Sequence, residues 1–309
     1  MAKKVFIDGK AGTTGLRIYE RLETFKGIEL ITLDDEKRKD PVCRKAALNE
    51  ADIAFLCLPD DAARESVSLI DNDNTVVIDT STAHRTLDDW AYGFPELSPS
   101  HREKLLKSKR VAVPGCHASG FISLVYPLVE AGALDGSEDL SCFSLTGYSG
   151  GGKKMIADYE EEPDALLGAP RQYGLTQNHK HLKEMVKITG IKNAPVFCPV
   201  VGDFYSGMEV TVPIFKSQLK NGFTLSKIKE LYKNKYNGPL VKYCDDSEDG
   251  FISAGILSGK DSMIVSVYGN DDRIILVARY DNLGKGASGA AVECLNIILG
   301  NDDTEGLEV

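Results

Sequence analysis

Val5-Phe6-Ile7-Asp8-Gly9-Lys10-Ala11-Gly12-Thr13-Thr14-Gly15 is a short apolar strand running into a glycine turn and then into a helical stretch from Thr14. Glycines at GxxGxxG spacing keep such a turn tight. They also let backbone N–H groups approach a pyrophosphate at the helix N-terminus. Further apolar strands follow at Ile28 to Leu33, Ile53 to Leu58 and Thr75 to Asp79, with helical stretches between them. Strand and helix in alternation predict a doubly wound parallel α/β sheet, and the glycine turn in its first βα unit predicts dinucleotide binding.

The end of the second strand leaves the nucleotide's identity open. Asp34 and Asp35 would accept from a ribose hydroxyl and favour NAD, whereas Lys37, Arg38 and Lys39 would pair with a 2′-phosphate and favour NADP. Beyond the fourth strand, Asp79-Thr80-Ser81-Thr82-Ala83-His84-Arg85 lies where open α/β sheets bind ligands. Ser81 and Arg85 are candidates there for a phosphate or carboxylate.

Pro114-Gly115-Cys116-His117-Ala118-Ser119 sits between the strand Val111-Ala112-Val113 and an apolar helical run from Phe121 to Val129. This turn sets the Cys116 sulfur over a helix N-terminus, where unpaired N–H groups and the positive end of the dipole favour a thiolate. The same N–H groups can hold an oxyanion. Cys57, Cys142, Cys198 and Cys294 lie among apolar neighbours and read as small buried hydrophobes instead.

After Cys116 the strands lengthen: Leu140 to Thr146, Val196 to Val201, Met208 to Phe215, Met263 to Tyr268 and Ile274 to Tyr280. They predict an α+β domain whose mainly antiparallel sheet faces helices on one side. The domain boundary is placed at the cysteine, giving residues 1–115 with a returning C-terminal helix over 287–309, and residues 116–286. A nucleophile at such a junction is suited to a cleft where cofactor and substrate meet.

His179-Lys180-His181-Leu182-Lys183-Glu184 supplies the candidate acid/base, since imidazole titrates near neutrality and can take and return a proton. A zinc site is not expected, because four-ligand spacing is absent. Ser149-Gly150-Gly151-Gly152-Lys153-Lys154 offers backbone donors and two ammonium groups to an anion or to the nicotinamide end of a cofactor. Asp281-Asn282-Leu283-Gly284-Lys285-Gly286-Ala287-Ser288-Gly289, before the apolar run Ala290 to Leu299, is a second glycine-rich helix start.

Composition excludes several classes. The 309 residues are 42% hydrophobic and 27% charged, enough for two ordinary cores without staples. A net charge of −10 argues against nucleic acid as a partner. No apolar run approaches a membrane span. Seven cysteines without regular spacing, and no leader ahead of the first strand, predict reduced thiols in the cytoplasm. Asn301-Asp302-Asp303-Thr304-Glu305 reads as a solvated acidic terminus.

Taken in order, the GxxGTTG loop, Pro114-Gly115-Cys116, the Ser149 to Lys154 loop, His179-x-His181-x-x-Glu184 and Lys285-Gly286-Ala287-Ser288-Gly289 resemble the shorter form of the N-acetyl-gamma-glutamyl-phosphate reductase family, within the semialdehyde dehydrogenase group. The resemblance spans nearly the whole chain. It implies a Rossmann NADP(H) domain and a catalytic domain that carries the subunit contacts of a dimer or tetramer. It also implies NADPH-dependent reduction of an acyl phosphate to N-acetylglutamate 5-semialdehyde, in arginine biosynthesis. Cys116 matches the nucleophile, His179 or His181 the acid/base, and Glu184 an acidic residue orienting them. Gly9, Gly12, Thr13, Thr14, Gly15, Arg38, Lys39, Ser149, Gly150, Gly151, Asn282 and Gly284 are the expected cofactor contacts. Ser81, Arg85, Lys153 and Lys154 are the expected substrate contacts. Aspartate-semialdehyde dehydrogenase is the nearest alternative enzyme, and an NADP-binding thiol sensor is the alternative outside enzymes.

Overall fold

In the computed structural model, which describes residues 2–161 and 164–309, the chain divides into two compact units. One comprises Met1–Pro114 and Ala287–Leu307, the other Gly115–Gly286 and Glu308–Val309.

The first unit runs β1 (Lys3–Asp8), α1 (Thr13–Leu22), β2 (Ile28–Ile31), α2 (Pro41–Glu50), β3 (Ile53–Leu56), α3 (Asp60–Leu69), β4 (Val76–Asp79), β5 (Ala91–Tyr92), α4 (Pro99–Lys107) and β6 (Arg110–Ala112). Its six strands are parallel, in the order β2-β1-β3-β4-β6-β5. Both faces of this sheet are covered, as unbroken apolar strands require. Val5, Ile7, Phe55 and Ile78 pack on Ile18 and Leu22 of α1. Phe6, Ala54, Leu56 and Val77 pack on Ala47 and Leu48 of α2. Helix starts follow local chemistry: Asp40 accepts the Val42 N–H ahead of α2, with Pro41 in its first turn, and Ser98 caps α4 with Pro99.

The second unit runs α5 (Cys116–Glu130), β7 (Ser141–Gly147), α6 (Gly152–Glu160), β8 (Arg171–Gln172), α7 (His181–Thr189), β9 (Val196–Gly202), β10 (Met208–Phe215), α8 (Leu225–Lys235), β11 (Val241–Tyr243), β12 (Met263–Gly269) and β13 (Arg273–Tyr280). Its seven strands are ordered β11-β12-β13-β10-β7-β9-β8. The sheet is mainly antiparallel; β7 with β9 and β11 with β12 pair parallel.

The last helix, α9 (Gly289–Leu299), belongs to the first unit, where Ala290, Val292, Leu295 and Ile297 join the cluster around Val5 and Phe55. The acidic terminus is exposed at Asp302 and Glu305, as its composition suggested, but anchored at Asp303. Arg102 grips Asp303 with two bonds of 2.6 and 2.8 Å, and the Asn296 amide donates to the carbonyls of Asp303 and Glu305. The bidentate guanidinium holds the Asp303 carboxylate, while the Asn296 amide holds the backbone of the terminus. Glu308, in the second unit, exchanges hydrogen bonds with Asp261.

Among the described residues no helix is long and apolar enough to cross a membrane.

Candidate active site

At the end of β1 the backbone itself dictates glycine. A Cβ on Gly9, whose φ is +90°, would lie 2.3 Å from the Cys57 carbonyl oxygen, and one on Gly15 would lie 2.5 Å from the Gly9 carbonyl oxygen. β1 and β3 are neighbours at the point where the strand order reverses, which is where doubly wound sheets open a crevice for ligands. Gly12 is the extended N-cap of α1 and brings no side-chain cap, so the first-turn N–H groups of Thr13 and Thr14 face the loop without one.

Beside this turn lies a cavity of about 560 Å³ lined by Gly9, Lys10, Leu30, Leu33, Arg38 and Lys39. Asp34 is paired with Lys37 at 3.4 Å and Asp35 with Arg38 at 3.5 Å, so the acidic pair is met by cations from its own loop. The cradle of glycines, the apolar floor and the basic rim fit a phosphorylated dinucleotide. Asp8, at the end of β1, is held in place by Arg44 at 3.1 Å and by the Ser66 hydroxyl at 2.8 Å.

The Asp79 loop is tied internally. Asp79 accepts from the Ser81 N–H and hydroxyl at 2.9 and 2.7 Å, and its other contact is His84 Nδ1 at 2.6 Å. His84 stacks on Trp90, ring centres 4.0 Å apart. Arg85, only 8% exposed, donates from Nε to the Val113 carbonyl at 2.8 Å and from Nη2 to the Thr80 carbonyl at 2.9 Å. Of the two residues expected at the substrate, Arg85 thus ties the loop after β4 to the end of β6, and Ser81 bonds Asp79 within the loop.

Cys116 is the first residue of α5, after Gly115 as an extended N-cap without a side-chain bond. The Gly115 N–H donates to Glu184 Oε1 at 2.8 Å. Glu184, expected to orient histidines, therefore also fixes the turn that carries the sulfur. The Tyr280 hydroxyl accepts from the Gly120 N–H at 3.0 Å and donates to the Cys116 carbonyl at 2.5 Å, the donor and acceptor that an α-helix would pair with each other. A Cβ on Gly286 would lie 3.1 Å from the Cys116 Cβ, so glycine permits the loop before α9 to approach Cys116.

Three imidazoles gather here. The His117 ring lies 5.8 Å from that of His179 and 5.6 Å from that of His181, and the last two are 4.7 Å apart. The His181 N–H donates to His179 Nδ1 at 3.2 Å. Burial, helped by the neighbouring His179, pushes His117 down to about 3. Burial also lowers His179, as does the adjacent Lys180. His117 Nδ1 and Nε2 bond the hydroxyls of Ser144 at 2.7 Å and Tyr173 at 2.6 Å.

Sequence reasoning missed His117, Ser144, Tyr173 and Tyr280. His117 carried a signal, adjacency to the cysteine within the turn, whereas the other three lie in strands or loops with no local mark.

Of the glycine-loop residues, Ser149 and Asn282 meet, the Asn282 amide donating to the Ser149 hydroxyl at 3.0 Å and accepting the Gly207 N–H at 3.0 Å. Gly150 packs against that amide, and Gly151 precedes α6, the helix on which Lys153 and Lys154 are exposed. The Leu283 and Gly284 N–H groups donate to Asp281 Oδ1, which shapes the second glycine loop.

A nucleotide cradle in one unit and a thiol at a helix start in the other match a known pairing of domains. Residues 4–105 match the family model described as semialdehyde dehydrogenase, NAD binding domain, and residues 116–282 match the semialdehyde dehydrogenase, dimerisation domain. The chain belongs to the semialdehyde dehydrogenase family.

Within that family its relatives include "N-acetyl-gamma-glutamyl-phosphate reductase 2" of Nostoc sp., 44% identical over 98% of this chain and 99% of the relative. N-acetyl-gamma-glutamyl-phosphate reductase of Brucella ovis is 43% identical over 97% of this chain and 100% of the relative. Among solved semialdehyde dehydrogenases, aspartate semialdehyde dehydrogenase II of Vibrio cholerae superposes with a TM-score of 0.73 at 17% identity, over 97% of this chain and 99% of that one. The Francisella tularensis aspartate semialdehyde dehydrogenase gives 0.71 at 16%, over 97% and 100%. At such identities these structures speak to the semialdehyde dehydrogenase fold alone.

Proposed function

We propose that this semialdehyde dehydrogenase reduces N-acetyl-gamma-glutamyl phosphate to N-acetylglutamate 5-semialdehyde and phosphate with NADPH, through a thioester on Cys116, as a step of arginine biosynthesis. The reading is carried by Cys116 at the first position of α5, its N-cap held by Glu184 and three imidazoles gathered beside it. The names of the relatives at 43–44% identity supply the substrate.

The helix start favours the Cys116 thiolate, and one of His179 and His181 receives the thiol proton. Burial and the adjacent Lys180 lower His179, which favours its neutral form. The sulfur attacks the acyl-phosphate carbonyl; the S–C bond forms, the C–O bond to phosphate breaks, and phosphate leaves. First-turn N–H groups of α5 stabilise the oxyanion of that step. NADPH, when bound, supplies the hydride that the thioester carbonyl requires. The imidazole returns a proton as the resulting thiohemiacetal collapses to aldehyde and frees Cys116.

In the first unit the Gly9 to Gly15 turn, Arg38 and Lys39 would hold the phosphates of NADP(H); in the second unit Ser149, Gly150, Gly151, Asn282 and Gly284 are assigned to the cofactor. Lys153 and Lys154 are the exposed cations assigned to substrate anions. Ser81 and Arg85 are assigned to the shape of the Asp79 loop.

The enzyme works as a homo-oligomer. Phe143, Val196, Phe215 and Ile275 lie on one face of the second sheet and are 42–59% exposed, an apolar surface suited to a second copy of the chain. The seven unbridged cysteines suit the cytoplasm.

The deciding assay runs the reaction backwards, following phosphate-dependent reduction of NADP with N-acetylglutamate semialdehyde against aspartate semialdehyde. Turnover with the acetylated aldehyde, abolished in Cys116→Ser while NADPH binding persists, is the expected result. Turnover with the aspartate compound alone replaces the substrate, and an active Cys116→Ser removes the thioester.

A further inference from the structure

Tyr280 closes β13 with its side chain wholly buried. β13 is paired on both sides, to β10 and β12, so the ring stands on an interior strand of the sheet. The hydroxyl meets one group of each kind. The Gly120 N–H, 3.0 Å away, can only donate, and the Cys116 carbonyl, 2.5 Å away, can only accept. Both directions are fixed by the groups themselves, and burial, which raises the phenol's pKa, keeps the donated hydrogen in place.

Room for the hydroxyl comes from a glycine. A Cβ on residue 120 would lie 2.6 Å from the Tyr280 oxygen and 2.5 Å from Val210 Cγ2. Glycine is a poor residue for a helix interior, yet at this point of α5 the sheet behind it requires one.

The carbonyl that Tyr280 holds shares a rigid trans peptide unit with the His117 N–H. The two groups are antiparallel, so holding the carbonyl directs that N–H out of the helix start. Among the described residues nothing accepts the His117 N–H. A hydrogen bond to the carbonyl also polarises the amide and makes its N–H the stronger donor.

We infer that Tyr280 is a positioning residue for the reaction: by holding the Cys116 carbonyl it directs and strengthens the His117 N–H as a donor to the oxyanion at the carbon the sulfur attacks. Glu184 holds the turn one residue earlier, through the Gly115 N–H. The residue that carries the sulfur is thus fixed from two separate elements, α7 and β13. The inference rests on Cys116 being the nucleophile.

One peptide in the chain joins cysteine to histidine, Cys116 to His117. Protein labelled with ¹³C′-cysteine and ¹⁵N-histidine therefore gives a single HNCO signal, which reads this peptide unit independently of activity. In Tyr280→Phe, which keeps the ring, the Cys116 ¹³C′ resonance is expected to move upfield. Its kcat is expected to fall about tenfold to a hundredfold, with KM for NADPH within about twofold. Unmoved histidine amides elsewhere in the same sample show that the fold is intact. In the unsubstituted chain, 3-fluorotyrosine in place of tyrosine supplies a stronger donor of the same reach and is expected to move the signal downfield, a measurement that stands even if Tyr280→Phe does not fold. An unmoved ¹³C′ signal in either sample, or an unchanged kcat in Tyr280→Phe, overturns the inference. Turnover surviving in Cys116→Ser would instead remove the nucleophile, and the inference with it.

Discussion

Glu184 Oε1 accepts the Gly115 N–H at 2.8 Å, a bond that reaches across 69 residues of sequence to the position before Cys116. The carboxylate occupies a donor that would otherwise compete for an incoming oxyanion, and it fixes the angle at which the chain enters α5. The bond needs an acceptor oxygen, not a charge.

Glu184→Gln, which keeps an acceptor oxygen, is therefore expected to retain kcat within about fivefold, while Glu184→Ala loses about tenfold to a hundredfold as the turn relaxes. Steady-state kinetics on the two variants decides it. Equal losses would show that the negative charge, acting on the histidines, is what the site requires.

Acid should unfold the protein partly through His117. Its imidazole, pushed down to about 3 in the fold against about 6.5 in the unfolded chain, gains its proton first when unfolded. The stability it contributes is complete above about pH 6.5 and is withdrawn as pH falls toward about 3. Urea midpoints at about pH 7 and about pH 5 should therefore separate the native chain from His117→Asn, the native chain losing on the order of 2 kcal/mol more. Parallel losses in the two proteins would contradict a neutral, buried His117.

The basic rim of the nucleotide cavity should discriminate between cofactors. Removing Arg38 and Lys39 together takes away charge-assisted bonds to a 2′-phosphate, so KM for NADPH is expected to rise about tenfold or more while turnover with NADH changes little. Comparable losses with both nucleotides would place the phosphate elsewhere.

Charge on the outer face of the second sheet should separate subunits. Phe143→Asp with Phe215→Asp is expected to convert the oligomer into monomers by light scattering, because an uncompensated carboxylate is costly in a buried apolar interface. An unchanged mass would locate the subunit contact on another surface.

The nucleotide half of the molecule was legible because its signal is local: strand, glycine turn and helix are consecutive, and Gly9 and Gly15 are imposed by contacts with nearby backbone. The place of Cys116 at a helix start was legible for the same reason. Ser144 and Tyr173 reach His117 across 27 and 56 residues, and Tyr280 reaches Cys116 across 164, through strand pairings that no short window contains. The anchoring of Asp303 in the acidic tail was not legible because its partner Arg102 lies 201 residues away. The two backbone carbonyls to which Arg85 donates, those of Val113 and Thr80, were likewise unmarked in the sequence.

Tyr280 gives the helix that begins at Cys116 an unusual dependence. Its hydroxyl bridges Gly120 and Cys116 from the end of β13, whose place is set by eight consecutive pairings with β10. Strand pairings change only in whole residues, and a one-residue slip would carry Tyr280 to the opposite face. The sulfur's position is thereby tied to an integer: it cannot be mistuned by small drift in the sheet, only lost outright.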